Sequence, residues 1–183
     1  MRSGSWLLFL SSGTSPLPGN LLGESMERLL VLVKPITPII APKVSPDRLR
    51  LYVEQGWIDK NIAKHLDRAF YRTHEGKPVI LTITVRGAVR AIAPEWANKF
   101  TIQEGGIVFP RCYVETRSIL RRDKQVLETF EAIDASCGPG KATFLIEGND
   151  EKFMNVLRRA LMERGLGAHR KCGFGRCDVV KQT

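Results

Sequence analysis

The residues best suited to chemistry lie in one segment close to the C-terminus. Positions 164–176 read Arg-Gly-Leu-Gly-Ala-His-Arg-Lys-Cys-Gly-Phe-Gly-Arg, so that four glycines are interleaved with five basic side chains. Glycine permits positive φ and a close approach of the backbone to a ligand, and the cations add charge where phosphates would lie. The pattern favours a phosphate-binding loop. It is not a Walker loop, because no strand precedes it and no Gly-Lys-Ser/Thr occurs.

Each glycine also has a structural interpretation. Gly165 is placed where a helix would end, and Gly173 and Gly175 could belong to a bulged strand. The two interpretations, a ligand loop and a set of structural glycines, are both open at the level of the sequence.

A second group of basic residues lies in the middle of the chain. Its members are Arg111, Arg117, Arg121, Arg122 and Lys124. The whole chain has 28 Lys plus Arg against 19 Asp plus Glu, which gives a net charge of +9 and a pI of about 9.7. Such an excess favours a polyanionic partner, nucleic acid before an anionic membrane surface. Phe174 and Tyr113, each flanked by cations, are candidates for base stacking.

Catalysis is an alternative interpretation of this sequence. A metal-independent ribonuclease needs a base, an acid and a cation at the scissile phosphate. His169 lies inside the basic segment, and His74 follows a predicted helix with Tyr71 as its candidate partner. His65 falls within that helix and is interpreted as structural or solvated. A histidine in a basic loop also serves as a phosphate or stacking contact, so catalysis by His169, or by His74 with Tyr71, is an alternative.

The cysteines do not indicate a metal site. Cys112, Cys137, Cys172 and Cys177 do not form the two tight pairs of ligands typical of structural zinc. Buried, reduced thiols are the preferred interpretation. The sequence therefore predicts no metal and no cofactor.

The organisation of the chain follows from its composition. Residues 1–25 are rich in Ser, Gly, Pro and Leu without a helix or strand period, and are predicted to be a flexible extension. The apolar run at 6–10 is too short for a secretory signal or a membrane span, which favours the cytoplasm. Residues 26–183 are predicted to form one domain.

Strand and helix patterns alternate from Met26 onwards. A strand is predicted at 28–33, and Ser45-Pro46-Asp47 is typical of a helix start. That helix is interrupted at Gly56 and begins again at Asp59. Its apolar stripe comprises Ile58, Ile62, Leu66, Ala69 and Phe70.

The rest of the chain is predicted to be rich in strands. They are expected at 79–85, 88–93, 99–102 and 106–109, the last two joined as a hairpin through Glu104-Gly105-Gly106. Residues 126–133 and 142–147 are predicted to pair across Cys137-Gly-Pro-Gly140. Asn149 and Asp150 cap a helix over 151–164, and a last strand covers 178–181.

This order predicts an α+β fold. It matches a ferredoxin-like, or RRM-like, βαββαβ core with a β-rich insertion around 86–125 and a glycine-rich loop before the last strand. Two helices are expected on one face of an antiparallel sheet, with the other face open.

Residues 141–176 also resemble the C-terminal signature of the CRISPR RAMP superfamily. There a strand ending near Glu-Gly and a helix rich in Leu and Ala precede a loop of the form G-x-G-(x)-R-(x)-x-G-F/Y-G-R. The residues that match this loop are Gly165, Gly167, Arg170, Lys171, Gly173, Phe174, Gly175 and Arg176. His169 and Cys172 are not part of the pattern, and outside residues 141–176 the likeness is one of topology.

The resemblance implies a function in holding CRISPR RNA. RAMP proteins are either backbone subunits of effector complexes or the endoribonuclease that processes the precursor RNA. A single small domain is similar to the subunit that caps the 5′ handle, including that of type IV systems. The implied role is a non-catalytic subunit whose partners are CRISPR RNA and other Cas backbone subunits, with no membrane. The alternatives are a CRISPR RNA endoribonuclease leaving a 2′,3′-cyclic phosphate and a stand-alone ferredoxin-like RNA-binding module.

Overall fold

The computed structural model of the chain describes residues 26–121 and 123–182. The extension predicted for residues 1–25 and the basic residue Arg122 lie outside the described residues. Within that described part, no helix has the length and apolar character needed to cross a membrane.

Ten strands and four α-helices are described. The strands are β1 (Glu27–Pro35), β2 (Ile39–Ile40), β3 (Tyr71–Arg72), β4 (Pro78–Leu81), β5 (Phe100–Ile102), β6 (Gly106–Val108), β7 (Tyr113–Arg121), β8 (Lys124–Ile133), β9 (Gly140–Ile146) and β10 (Cys177–Lys181). The helices are α1 (Pro46–Glu54), α2 (Lys60–Ala63), α3 (Thr82–Arg90) and α4 (Asp150–Glu163).

The main sheet has the order β10-β1-β9-β6-β4-β3, and β5 also pairs with β9. Every one of these pairings is antiparallel. The sheet contains a βαββαβ unit, which is made, in chain order, of β1, α3, β5, β9, α4 and β10, with other elements inserted between them. In this unit the last strand, β10, is at the edge of the sheet and pairs with the first strand, β1. The predicted α+β, ferredoxin-like fold is confirmed.

Both helices of this unit cover the same face of the sheet. The alternation of β1 turns Leu29, Val31 and Val33 into the core, where they pack in one cluster with the buried sides of α3 and α4. Phe153 of α4 forms the centre of an aromatic group, its ring 5.2 Å from that of Phe100 and 5.4 Å from that of Phe144. The opposite face is open, as expected, with Leu30 of β1 40% exposed on it.

A smaller sheet carries the long hairpin of the chain. It has the order β2-β8-β7, and its two long strands pair from Tyr113 opposite Ala132 to Arg121 opposite Lys124. The short strand β2 lies on the other edge of β8, with Ile40 opposite Ala132. Phe130, Ala132 and Ile40 form a buried cluster between this sheet and the segment that precedes β10.

The strand predicted at 79–85 is wrong beyond Leu81, and the strand predicted at 88–93 is wrong throughout. The strand ends at Leu81, and residues 82–90 form helix α3. Val85, Ala88 and Val89 lie on one side of a helix and are fully buried against the sheet, which outweighs the strand preference of the alternating threonines.

The predicted helix through Phe70 is also wrong beyond Ala63. Ser45 and Asp59 cap α1 and α2 as expected, through bonds from the Arg48, Asn61 and Ile62 backbone N–H groups. After α2, however, the chain is extended and pairs with β8, since the Asp67 N–H donates to the Thr129 carbonyl at 2.8 Å. His65 therefore lies outside any helix.

Two predicted strand pairings are wrong as well. β5 and β6 do not form a hairpin with each other, because both pair with β9. Residues 126–133 belong to β8 of the smaller sheet, whereas β9 belongs to the main sheet. The predicted helix at 151–164 and last strand at 178–181 are confirmed, each with its boundary moved by one residue.

Candidate nucleic-acid interface

The glycine-rich loop, residues 165–176, joins α4 to β10 and is a folded structure. It begins with Gly165, whose φ of 67° ends α4 in the manner of a helix C′ residue. Its two arms are joined by a hydrogen bond from the Leu166 N–H to the Gly175 carbonyl at 2.8 Å. The basic residues are therefore carried on a defined backbone.

Backbone packing explains three of the four glycines. A Cβ atom on Gly175 would lie 1.8 Å from the Leu166 carbonyl oxygen, and one on Gly167 would lie 2.3 Å from that of Ile40. A Cβ on Gly165 would lie 2.8 Å from the Phe174 carbonyl oxygen. A Cβ on Gly173 would face open space, so glycine is favoured there by the positive φ of 87° and not by packing. These glycines shape the loop and let it dock on its neighbours.

Residues 36–40, between β1 and β2, hold the loop in place. The Thr37 hydroxyl donates to the Gly173 carbonyl at 2.9 Å and accepts from the Arg176 N–H at 2.9 Å. The Ile36 N–H donates to the Arg176 carbonyl at 2.8 Å. Thr37 was missed by the sequence reasoning, because its partners are more than 130 residues away and no local pattern links them.

Three cations of the loop face solvent. Arg170, Lys171 and Arg176 are exposed, and none of them is in an ion pair within residues 26–121 and 123–182. Unpaired cations on a fixed backbone can neutralise phosphate oxygens without first breaking an internal salt bridge. Phosphate binding by these three residues stays a prediction.

Phe174 connects the loop to the hairpin. Its ring packs, half-buried, against the cluster of Ile40, Phe130 and Ala132. The Arg117 guanidinium of β7 lies over the ring at 5.9 Å from its centroid. The structure thus brings Arg117 of the second basic group beside the loop.

His169 lies at the base of the loop and faces inwards. Its side chain is 15% exposed, and its Nε2 is 3.0 Å from the Glu128 Oε2 of β8. The other carboxylate oxygen of Glu128 lies 2.9 Å from the Arg68 Nε. Burial acts to raise the pKa of Glu128, but hydrogen bonds from Arg68 and His169 outweigh it and hold the pKa below its usual value. Glu128 and Arg68 were missed because their role depends on partners distant in sequence.

The remaining basic residues of the second group are spread along the hairpin. Arg121 and Lys124 are opposite each other next to its tip, and Lys124 is exposed. Arg111 precedes β7 at the other end, where its guanidinium donates to the Ser136 carbonyl at 2.5 Å. Of this group, Arg117 is the residue that the described contacts join to the loop.

The candidate residues for catalysis lie in separate surroundings. The His74 side chain is 91% exposed, and its Nε2 is 3.9 Å from the Glu75 carboxylate. The Tyr71 ring lies under the Arg48 guanidinium, at 4.1 Å from centroid to Cζ. His169 is bonded to Glu128, so the contacts of the three residues do not join them into one acid–base group.

The thiols are all free. Burial raises the pKa of Cys112 to about 11 and that of Cys177 to about 12, which keeps both protonated. Cys137 is buried and Cys172 is exposed. Among the described residues, no cluster of three or more His, Cys, Asp or Glu side chains could hold a metal ion.

Comparison with known proteins identifies the fold. No family model and no curated protein matches the chain. Among solved structures, a chain in the cryo-EM structure of the type III-B Cmr-beta bound to cognate target RNA is similar to it, with a TM-score of 0.56 and 11% sequence identity. The similarity covers 84% of this chain and 59% of the Cmr-beta chain, so this chain spans about three fifths of that length.

Proposed function

We propose that this chain is a non-catalytic, RNA-binding subunit of a CRISPR ribonucleoprotein. Its glycine-rich loop grips the phosphates of the guide RNA, and its partners are CRISPR RNA and other Cas backbone subunits in the cytoplasm. The observation that carries the proposal is the loop itself, a prefolded backbone that presents Arg170, Lys171 and Arg176 to solvent. Arg117, whose guanidinium is ion-paired with Glu115 and lies over the Phe174 ring, adjoins this basic surface on the hairpin.

The fold supports the same conclusion. The similar solved chain is part of an assembly bound to cognate target RNA. The glycine-rich loop is also the segment in which the sequence resembles the RAMP superfamily. Phosphate recognition by exposed cations is independent of base sequence, which suits a subunit that must accept many different guides.

Holding rather than cleaving is favoured by the surroundings of the histidines. General acid–base cleavage needs two groups within hydrogen-bond reach of one phosphate, directly or through one water. His169 is instead engaged with Glu128, and His74 is exposed beside Glu75. A subunit of this kind binds RNA and leaves it intact.

The test is a single-turnover incubation of cognate repeat RNA with excess protein, with and without Mg²⁺, followed on a denaturing gel. We expect tight, salt-sensitive binding and no cleavage. A discrete product that ends in a 2′,3′-cyclic phosphate and is lost in His169→Ala or His74→Ala, but not in the control His65→Ala, would replace the proposal with an endoribonuclease. Absence of binding would reject both.

A further inference from the structure

A pocket of about 350 Å³ lies between the glycine-rich loop and the main sheet. Gly167 and Ala168 of the loop contribute to one part of its lining. The buried side chains of Phe70 and Ile80 contribute an apolar part, and the exposed Ile83 of α3 also lines the pocket. A volume of this size is at the lower end of the range for small-molecule sites, and it suits one planar heterocycle.

The two charged residues that line this pocket are both basic. The lining includes Lys43 and Arg68 and contains no aspartate or glutamate. The charge of Arg68 is satisfied by Glu128, whereas Lys43 is exposed. An apolar interior beside a cation suits a group that is planar and uncharged but attached to an anionic chain.

Tyr71 adds a stacking surface. It lines the pocket with 37% of its surface exposed, and its ring is held against the Arg48 guanidinium at 4.1 Å. The Arg48 guanidinium is fixed in turn by donating to the Lys43 carbonyl at 2.8 Å. Aromatic rings and arginine planes of this kind are the surfaces on which proteins stack unpaired RNA bases.

The pocket lies next to the cations of the loop. Ala168 is two residues before Arg170, a backbone span of at most about 7 Å. A strand whose phosphate contacts Arg170 is therefore close enough to place a neighbouring base at the pocket.

We propose that this pocket receives one unstacked nucleobase of the single-stranded RNA held by the glycine-rich loop, with Tyr71 as its stacking partner. The inference rests on the proposed function and adds to it a contact to a base, so that one position of the RNA is distinguished from its neighbours.

The experiment uses the full chain and single-stranded repeat RNA carrying 2-aminopurine at one position at a time. We expect the fluorescence of one position to change on binding far more than that of the others. Tyr71→Ala should abolish this change and weaken binding by about tenfold, the effect of losing one base stack. Because Tyr71 is uncharged, the slope of affinity against salt should stay the same.

Two control variants separate stacking from damage to the fold. Tyr71→Phe keeps the ring and should bind as the original protein does. Met162→Ala removes an equally exposed side chain on α4, 37% exposed, and should have no effect.

The outcomes are distinct. If RNA binds with the expected salt dependence but Tyr71→Ala changes neither affinity nor fluorescence, the pocket proposal is rejected and the loop function stands. If no RNA binds, both are rejected. If the protein instead forms a dimer that Tyr71→Ala abolishes, the pocket is a protein interface and the proposal is overturned.

Discussion

Replacing the three exposed cations of the glycine-rich loop tests phosphate binding most directly. In the triple variant Arg170→Ala, Lys171→Ala and Arg176→Ala, the backbone contacts to residues 36–40 are unchanged, because they use main-chain groups and the Thr37 hydroxyl. The side chains themselves are exposed and unpaired within the described part of the chain. The fold should therefore survive, and its melting temperature should stay within a few degrees.

The expected loss can be worked out from counterion release. On single strands, the logarithm of the binding constant falls with the logarithm of salt concentration by roughly 0.7 per neutralised phosphate. Three phosphate contacts therefore contribute about 2 to this slope. A slope of about 2 means that the affinity falls by about 20-fold when the salt concentration rises from roughly 50 to 200 mM. The triple variant should bind RNA more weakly at low salt and lose this part of the salt dependence.

The assay is a fluorescence-anisotropy titration of labelled repeat RNA at four or more salt concentrations. Its control is Lys60→Ala, Lys64→Ala and Lys152→Ala, which removes the same charge from three exposed lysines outside the loop. If both variants lose affinity and slope equally, only the net charge matters and the assignment to the loop is refuted. If the loop variant binds as the original protein does, the loop does not contact phosphate.

Two further predictions concern stability. Gly175→Ala should destabilise the protein by about 3 kcal/mol or more in urea unfolding, because the new Cβ would clash with the Leu166 carbonyl oxygen. The control is Gly173→Ala, where φ is similar but the Cβ would face open space, and this variant should lose only about 1–2 kcal/mol. Equal losses in the two variants would show that the positive φ, and not the clash, causes the destabilisation. The pKa of Glu128 is lowered in the folded state, so its ionised carboxylate stabilises the fold above the pKa of the unfolded state. This stabilisation is lost as the pH falls through the pKa of the folded state. Glu128→Gln should therefore reduce the loss of unfolding free energy at acid pH, whereas Glu163→Gln, at an exposed residue, should not.

Local signals account for the elements that the sequence predicted well. Helix α4 has a capping residue, Asn149, and a continuous apolar stripe, and both act within a few residues. β1 has a clean alternation that fits one buried and one open face. In these segments the local preference and the final packing agree.

Helix α3 shows where local reasoning fails. Thr82, Ile83 and Thr84 are β-branched and favour a strand, yet the segment is helical because Val85, Ala88 and Val89 are buried together against the sheet. The gain from burying that face depends on strands far away in the sequence, so no window around residue 85 contains it.

The candidate site divides in the same way. The exposed cations of the loop could be identified from sequence, since charge and glycine content are local. The reason for Gly167 and Gly175 could not, because it lies in close approaches to Ile40 and Leu166. Likewise, the pocket beside Tyr71 is assembled from β3, β4, α3 and the loop, which only the fold brings together.

The position of β1 also has a consequence for synthesis of the chain on the ribosome. Both neighbours of β1 in the sheet, β9 and β10, come from the last part of the chain. At typical rates of translation, about 5–20 s pass between the synthesis of β1 and the synthesis of β9. During that interval both edges of β1 are unpaired and can form hydrogen bonds with strands of other chains. Residues 36–40 likewise receive the glycine-rich loop only after it has been synthesised, since the Thr37 contacts to Gly173 and Arg176 span 136 and 139 residues of sequence.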